Sequence, residues 1–515
     1  MIQAIKSFNN KFSYATYFII ALFFLLSIYF YSFIHDPHHH GLVFSNALDL
    51  LNGKKPYDEI FLQYGFLTTF FHSVILSVFG LEIIYLNYFT ICIYLISVYL
   101  IFKIVKKTTN EYYAFLSTLL ILFNHPVVWL PWSNYLAFFF IVLGIYLNVH
   151  KNYSDNYYLG FCFSLAILSR QDFLLPLFSF FIIFISIKLI YQKKIYTKFI
   201  ISFFIPLILF LLIIFNLGLF ESWSKTLKIP SLYLELYKTN IISLIISFVN
   251  FFIFQSFFNF INEPQYILIL IILIINFFLI IKNLLSKNFD QIFLPILCIL
   301  LSIPSINYEL FRLYTSTLIG IIPLIQFIHS FKVKENKFIF NFFLIFFGLF
   351  SIFFYPLGGN KLFNELFINK SETNIVYLKN VKLSQNDVDL YKGIFNLKME
   401  VSKNCSIRYY ENLTFNTFIS PLLGNDRIQF KPFVKSDVKN SVVDSYFDNS
   451  FVAKINNQFK NEDIVLIFTD NNLEFDLGTI LIPKNYSTKE IIIASRSNKP
   501  IAYNFVYPTK CIVKS

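Results

Sequence analysis

Charge is what this sequence has least of. Only 14% of its 515 residues are Asp, Glu, Lys or Arg, against about 25% in soluble globular proteins. That shortage excludes a soluble cytosolic enzyme and a disordered tail protein. Cysteine is scarce too. The five present form no CxxC pair and no zinc-type spacing, which excludes a disulfide scaffold. No Gly-rich phosphate loop or GxGxxG precedes a helix pattern, so no nucleotide site is expected. No internal repeat is visible in the apolar part. An inverted repeat with broken helices would have pointed to a secondary transporter.

What is present is apolar. The chain is 56% hydrophobic, with 69 Phe and 33 Tyr, and its mean hydropathy is +0.61. These figures indicate an α-helical polytopic membrane protein. The charge is unevenly placed: residues 1–359 hold 22 Lys/Arg and 14 Asp/Glu, and residues 360–515 hold 20 and 16. Two domains follow, a membrane domain over 1–359 and a soluble α/β domain over 360–515. The net charge of +12 is mostly loop lysine at membrane ends, so no nucleic-acid partner is expected. Cys92, Cys162 and Cys298 lie in apolar runs and read as packing residues. Cys405 and Cys511 lie in the polar C-terminal region and are free to pair if that region is extracytoplasmic.

Residues 13–34 form an apolar run of 22, which rises about 33 Å as a helix and can cross a bilayer. Lys6 and Lys11 precede it, and its length argues for an uncleaved first span rather than a signal peptide. Further spans are expected near 82–102, 112–130, 134–149, 157–169, 173–191, 198–219, 266–283, 289–304, 308–329 and 338–356. The lysine-rich connections, including Lys103, Lys106, Lys107, Lys188, Lys193 and Lys194, fall on one side, which the positive-inside rule makes cytoplasmic. The loop 35–81, the Arg170 break and the C-terminal region then face outward. Residues 66–80 are too short to span and read as an interfacial helix. Residues 241–260 fit neither side by parity, so 11 to 13 spans are expected. In the C-terminal region, runs at 374–378, 406–410, 463–469, 479–482 and 490–494 read as strands, and 451–459 as a helix.

The first outer loop carries the chemistry. It reads His35-Asp36-Pro37-His38-His39-His40-Gly41, then Gly53-Lys54-Lys55-Pro56-Tyr57-Asp58-Glu59 and Gln63-Tyr64-Gly65, and it contains four of the eight histidines. Asp36 is the first polar carboxylate beyond the first span. There it can act as a general base on a substrate held at the membrane boundary, or be a plain helix-end residue in a solvated loop. The histidines with Asp36 have the ligand chemistry for a divalent metal. Adjacent histidines rarely all point at one ion, however, so packing of the loop onto the membrane domain is the leading expectation and no metal ligand is assigned.

The pattern Asp-Pro-His-His-x-Gly, Gly-Lys-x-Pro-Tyr and Gln-Tyr-Gly, followed by an interfacial helix ending at Phe79-Gly80, resembles the first loop of GT-C class glycosyltransferases. The similarity is to membrane enzymes of the protein mannosyltransferase and aminoarabinose transferase type. It covers residues 35–80 in motif and roughly 1–360 in architecture. The resemblance implies a GT-C-like fold and makes Asp36 the catalytic residue. No acidic residue follows the 112–130 span, so the second catalytic carboxylate of some relatives is not evident.

The candidate substrate-binding residues are His38, His39, Glu59, Gln63 and Tyr64 of the loop, with Arg170, Asp172 and Arg312. Tyr64 can stack on a sugar face. Arg170 and Arg312 can hold a lipid phosphate, because guanidinium pairs with phosphate oxygens through two hydrogen bonds. The alternatives are an internal Arg170–Asp172 ion pair in a surface turn and snorkelling of Arg312 to the interface. His125, Trp129 and Trp132 read as interfacial anchors.

The expected activity is transfer of a sugar from a polyprenyl-phosphate donor to a glycolipid, polysaccharide or protein acceptor. It would take place at the outer face of the cytoplasmic membrane, with the C-terminal domain also outside. Two alternatives stand: a polysaccharide polymerase or ligase, and a non-enzymatic transporter or scaffold for envelope glycans.

Overall fold

The computed structural model describes residues 2–32, 39–60, 62, 65–125, 130–151, 156–193, 196–227, 265–302, 310–331, 338, 341–342, 345–346, 370–406, 408–412, 419–423, 427–429, 457–460, 463–469, 482–494 and 500–512. Among the described residues, six helices are long and apolar enough to cross a membrane, and five more are apolar but shorter. The chain is a multi-pass membrane protein.

The helices follow the apolar runs. They are α1 (Ile2–Tyr31), α2 (His39–Leu51), α3 (Phe66–Phe79), α4 (Ile84–Thr108), α5 (Glu111–Asn124), α6 (Ser133–Lys151) and α7 (Tyr157–Ser169). Then come α8 (Leu174–Gln192), α9 (Thr197–Asn216), α10 (Phe220–Thr226), α11 (Gln265–Leu285), α12 (Phe293–Ser302) and α13 (Leu310–His329). The expected span at 338–356 is helical where described, at 338, 341–342 and 345–346. The ambiguous segment 241–260 lies outside the described residues.

Burial ranks the helices. Two thirds of the apolar window of α4 is buried, against 17% for α1. So α4 is the centre, packed by α1, α3, α5, α6 and α13, and α1 lies at the rim. On α9, Ile201, Ile205, Ile208, Leu212 and Phe215 are exposed at alternating spacings of four and three. That stripe would aggregate in water; hydrocarbon is its solvent. The opposite face of α9 packs on α7, where a Cβ on Gly160 would come within 2.6 Å of the Phe199 carbonyl oxygen. A small residue is needed there for the two backbones to approach. Ser164 Oγ donates to the Phe203 carbonyl across the same contact.

The C-terminal region is a small α/β unit. Helix α14 (Gln385–Asn404) is capped by Ser384, whose Oγ accepts from the Asp387 N–H at 3.2 Å. Strands β1 (Lys370–Ser371) and β2 (Leu383–Ser384) pair with each other. Strands β3 (Arg408–Asn412), β4 (Arg427–Gln429), β5 (Ile464–Thr469), β6 (Tyr486–Ala494) and β7 (Pro500–Pro508) form one sheet in the order β4-β3-β5-β7-β6. β3 runs parallel to both its neighbours, and β7 is antiparallel to β5 and β6. A disulfide between Cys405 and Cys511 joins the end of α14 to the turn after β7.

Most expected strands have counterparts, at β3, β5 and β6. The run 374–378 does not. Its core is a short 3-10 turn, Val376–Leu378, because its backbone is used elsewhere. The Tyr377 carbonyl accepts from the Ile83 N–H at 3.1 Å and Leu378 is fully buried, so the segment docks on the membrane domain instead of joining the sheet. The expected helix at 451–459 is described and helical over 457–460, and of the expected strand at 479–482 only residue 482 is described, outside any strand.

Candidate functional site

The two short helices that follow α1, namely α2 and α3, build one wall of the site. Almost every residue of α2 is buried, from His40 to Asp49. One side packs on α3, and the other meets a short C-terminal helix, α15 (Ile419–Leu423). The Tyr377 ring lies 5.5 Å from Phe44. The Lys382 N–H donates to the Ser32 carbonyl at 2.7 Å, and Asn380 Nδ2 donates to Glu82 at 3.1 Å. The α2–α3 segment is therefore held between the helix bundle and the C-terminal unit.

The Gly-Lys-x-Pro-Tyr motif is a closed turn. Gly53 adopts a positive φ of 84°, which favours glycine. It ends α2, and the Lys54 N–H returns to the Asp49 carbonyl at 3.0 Å. Lys54 Nζ also sits 3.1 Å from the carboxylate of Asp49, a residue only 1% exposed. Glu59 accepts from the Lys55 N–H at 2.7 Å and is exposed, so Glu59 closes its own turn.

Helix α3 is inside out. Phe70, Val74, Val78 and Phe79 face outward, while Thr68, Thr69, His72 and Ser73 are buried. An apolar outer face suits a helix lying in the membrane interface, and its polar face is turned into the protein. Its start is fastened to the end of α7. A Cβ on Gly65 would lie 2.5 Å from the Ser169 carbonyl oxygen, and Thr68 Oγ1 donates to that oxygen at 2.9 Å.

The next residue, Arg170, turns the chain. Thirteen residues of α7 rise about 20 Å, short of the roughly 30 Å hydrocarbon core, so α7 brings a charge to membrane depth. A charge there needs a partner. Arg170 is 3% exposed; its Nη2 donates to Asp172 at 2.6 Å and its Nη1 to the Asn134 side-chain oxygen. The Gln171 side chain reaches Thr226 of α10 at 3.4 Å. The internal ion pair is thus what the break contains.

The start of α6 is the third wall. Trp132 is buried with its ring 4.8 Å from that of His39. His125 is fully buried; its Nε2 bonds the Tyr135 hydroxyl at 2.6 Å, and the Tyr94 hydroxyl donates to its carbonyl at 2.8 Å. These contacts correct the reading of His125 and Trp132 as interfacial anchors: both rings pack inside the protein. Trp129 lies outside the described residues.

Between these walls is a narrow, partly open recess of about 20 Å³, room for a water-sized molecule. Leu42, Val43 and Asn46 of α2 face Thr68, Thr69 and His72 of α3 across it. Leu62, Gly65 and Ser133 complete the lining. None of these residues is acidic, and none carries a permanent positive charge. Burial pushes His72 down to about 3, so its ring is neutral at physiological pH.

The expected site residues divide as follows. His39, Arg170 and Asp172 lie around the start of α6, where Asn134 meets Arg170 and Ser133 lines the recess. Glu59 lies on the exposed turn outside it. Arg312 belongs to the first turn of α13. Asp36, His38, Gln63 and Tyr64 lie outside the described residues. Among the described residues, no group of three or more His, Cys, Asp or Glu side chains could hold a metal ion. Asn46, Asp49, Ser133 and Asn134 were not anticipated; all four are polar and buried among apolar neighbours.

No family model matches this chain, and no curated protein matches it. Solved structures do. The chain is similar to ArnT from Cupriavidus metallidurans bound to undecaprenyl phosphate, at 8% identity and a TM-score of 0.54, over 98% of this chain and 99% of that one. The same enzyme in the apo state is similar at 10% identity and a TM-score of 0.51, over 97% and 100%. ArnT is an aminoarabinose transferase of the GT-C class. This chain has that GT-C-like fold along nearly its whole length.

Proposed function

We propose that this protein transfers a glycosyl group from a polyprenyl-phosphate-linked sugar to a glycolipid, polysaccharide or protein acceptor at the outer face of the cytoplasmic membrane. The observation that carries this reading is the full-length likeness to a structure holding undecaprenyl phosphate. The site is consistent with it. The motif-bearing loop, the start of α6 and the Arg170 turn meet at one place, beside a recess without permanent charge.

In this mechanism Asp36, three residues before His39 in the chain, accepts the proton of the acceptor hydroxyl. The hydroxyl oxygen attacks the anomeric carbon from the side opposite the phosphate. The new C–O bond forms as the bond from the anomeric carbon to the phosphate oxygen breaks, so the configuration inverts. The negative charge developing on the departing lipid phosphate needs a fixed cation. Arg170 is committed to Asp172 and Asn134, which leaves Arg312 as the preferred phosphate partner and gives Arg170 a positioning role. A site facing away from the cytosol draws its sugar from a lipid carrier rather than from a cytosolic nucleotide.

The test is a panel of polyprenyl-phosphate sugars supplied with glycolipid, polysaccharide and peptide acceptors to the full chain in nanodiscs, with released polyprenyl phosphate measured. Release from one donor is expected. Neither release nor binding across the panel would replace this reading with a scaffold or transporter role.

A further inference from the structure

The stretch between β1 and β2 leaves the C-terminal unit as a stiff loop, residues 372–382. Its base is closed by the antiparallel pairing of Lys370 with Ser384 and Ser371 with Leu383. Inside it, the Ile375 N–H donates to Thr373 Oγ1 at 3.2 Å. The Leu378 N–H donates to the Ile375 carbonyl at 2.9 Å, and the Val381 N–H to the Leu378 carbonyl at 3.1 Å. Ile375, Leu378 and Val381 are buried. Asn380 takes a φ of 65°, which asparagine tolerates better than most residues. A loop with a closed base, internal bonds and a buried spine keeps one shape.

That loop grips three separate elements of the membrane domain. The Lys382 N–H donates to the Ser32 carbonyl, just beyond α1, at 2.7 Å. The Tyr377 ring meets Phe44 of α2 edge to face, 5.5 Å between centroids. Between α3 and α4, the Tyr377 carbonyl accepts from the Ile83 N–H at 3.1 Å, and Asn380 Nδ2 donates to the Glu82 carboxylate at 3.1 Å. Lys379 Nζ lies 3.9 Å from that carboxylate, an exposed pair that adds little. The two backbone bonds are what fix one register. In the chain, Ser32 and Phe44 bracket residues 35–41, which include Asp36.

We infer that the loop 372–382 is a positioning element for the reaction. It ties down both ends of the segment that carries Asp36, so the C-terminal unit sets the rate of the chemical step and not the affinity for the donor lipid. This rests on the glycosyl-transfer reading with Asp36 as base. A misplacement of about 1 Å is enough to cost roughly 10²-fold in rate.

The test uses the full chain in nanodiscs. Tyr377→Ala combined with Asn380→Ala removes the ring contact and the bond to Glu82, and places at 380 a residue that disfavours a positive φ. Tyr377→Phe keeps the ring and is the conservative control. The first readout needs no substrate: amide hydrogen exchange at Ile83 and across residues 32–44. The double variant is expected to exchange about tenfold faster there, the value of one hydrogen bond, with α9 unchanged and Tyr377→Phe like wild type. Unaltered exchange would overturn the inference.

The second readout is single-turnover release of polyprenyl phosphate. It should fall by about 10–10²-fold in the double variant, with donor affinity unchanged, and stay at the wild-type rate in Tyr377→Phe. Added to Asp36→Asn, the double variant should cost little more, because both act on one step. A full further loss in that background would overturn the inference, as would a normal rate despite faster exchange, or a donor affinity that falls with the rate. Should the wild type transfer nothing, the glycosyl-transfer reading fails separately, and exchange still decides whether the loop holds the segment. If the double variant does not fold, Asn380→Ala alone, at an exposed position, carries the same readouts.

Discussion

At the scale of single residues, Gly65 and Arg170 make the sharpest demands. A methyl group on Gly65 would meet backbone, the Ser169 carbonyl at 2.5 Å, and not a side chain that can swing away. Gly65→Ala is expected to destabilise the protein by about 1–3 kcal/mol, the usual cost of overpacking, read as a lower melting temperature in detergent. Asp172→Asn leaves the buried Arg170 cation without its counter-charge. Breaking a buried pair costs about 3–5 kcal/mol. The lower end is expected, because the Asp172 side chain keeps 23% of its exposure. Equal melting temperatures for wild type and Asp172→Asn would contradict the pairing.

His72 lies outside the spans and adds a pH dependence. Its folded value sits near 3 against 6.5 in the open, so between those values the unfolded chain binds the proton and the folded one does not. Stability therefore falls as pH drops below about 6.5. His72→Phe should flatten that part of a melting-temperature profile between pH 7 and 4. An unchanged slope would place the acid sensitivity elsewhere.

At the scale of elements, legibility followed length. The spans were readable because 18 or more apolar residues have one stable solution in a bilayer. The Arg170 break was readable because a charge between two apolar runs interrupts that solution. The inward polar face of α3 was only half readable. His72 showed as an interruption, but Thr68 acquires meaning only from Ser169, 101 residues along the chain. Trp132 misled because a loop aromatic next to proline looks like an interfacial anchor, and only the fold shows the His39 ring packed against it at a tilt. The run 374–378 misled because its composition suits a strand, while Ile83 takes its carbonyl. Ser133 and Asn134 look like ordinary helix-start residues until Arg170 is placed beside them.

The disulfide is testable at this scale. It links residues 106 apart in sequence, and removing a native disulfide typically costs about 2–5 kcal/mol. Cys405→Ser with Cys511→Ser should make the C-terminal unit the first part cut in limited proteolysis, with the helix bundle retained. An unaltered cleavage order would show that the sheet stands without it.

For the whole molecule, the segment after α1 is the junction. It packs on the bundle through α3 and on the C-terminal unit through α2 and Tyr377. The lipid-facing stripe of α9, the central position of α4 and the short α7 give that junction a fixed frame at membrane depth. Under the proposed function, this frame would serve glycosyl transfer from a lipid carrier, with Asp36 near the start of the first loop.

The most direct measurement compares wild type with Asp36→Asn in nanodiscs, under single-turnover conditions with the donor identified from the panel. The substitution keeps size and shape and removes the base. Release of polyprenyl phosphate is expected to fall by about 10²–10⁴-fold, the usual contribution of a general base, with donor affinity and melting temperature unchanged. Full-rate release by Asp36→Asn would contradict the account.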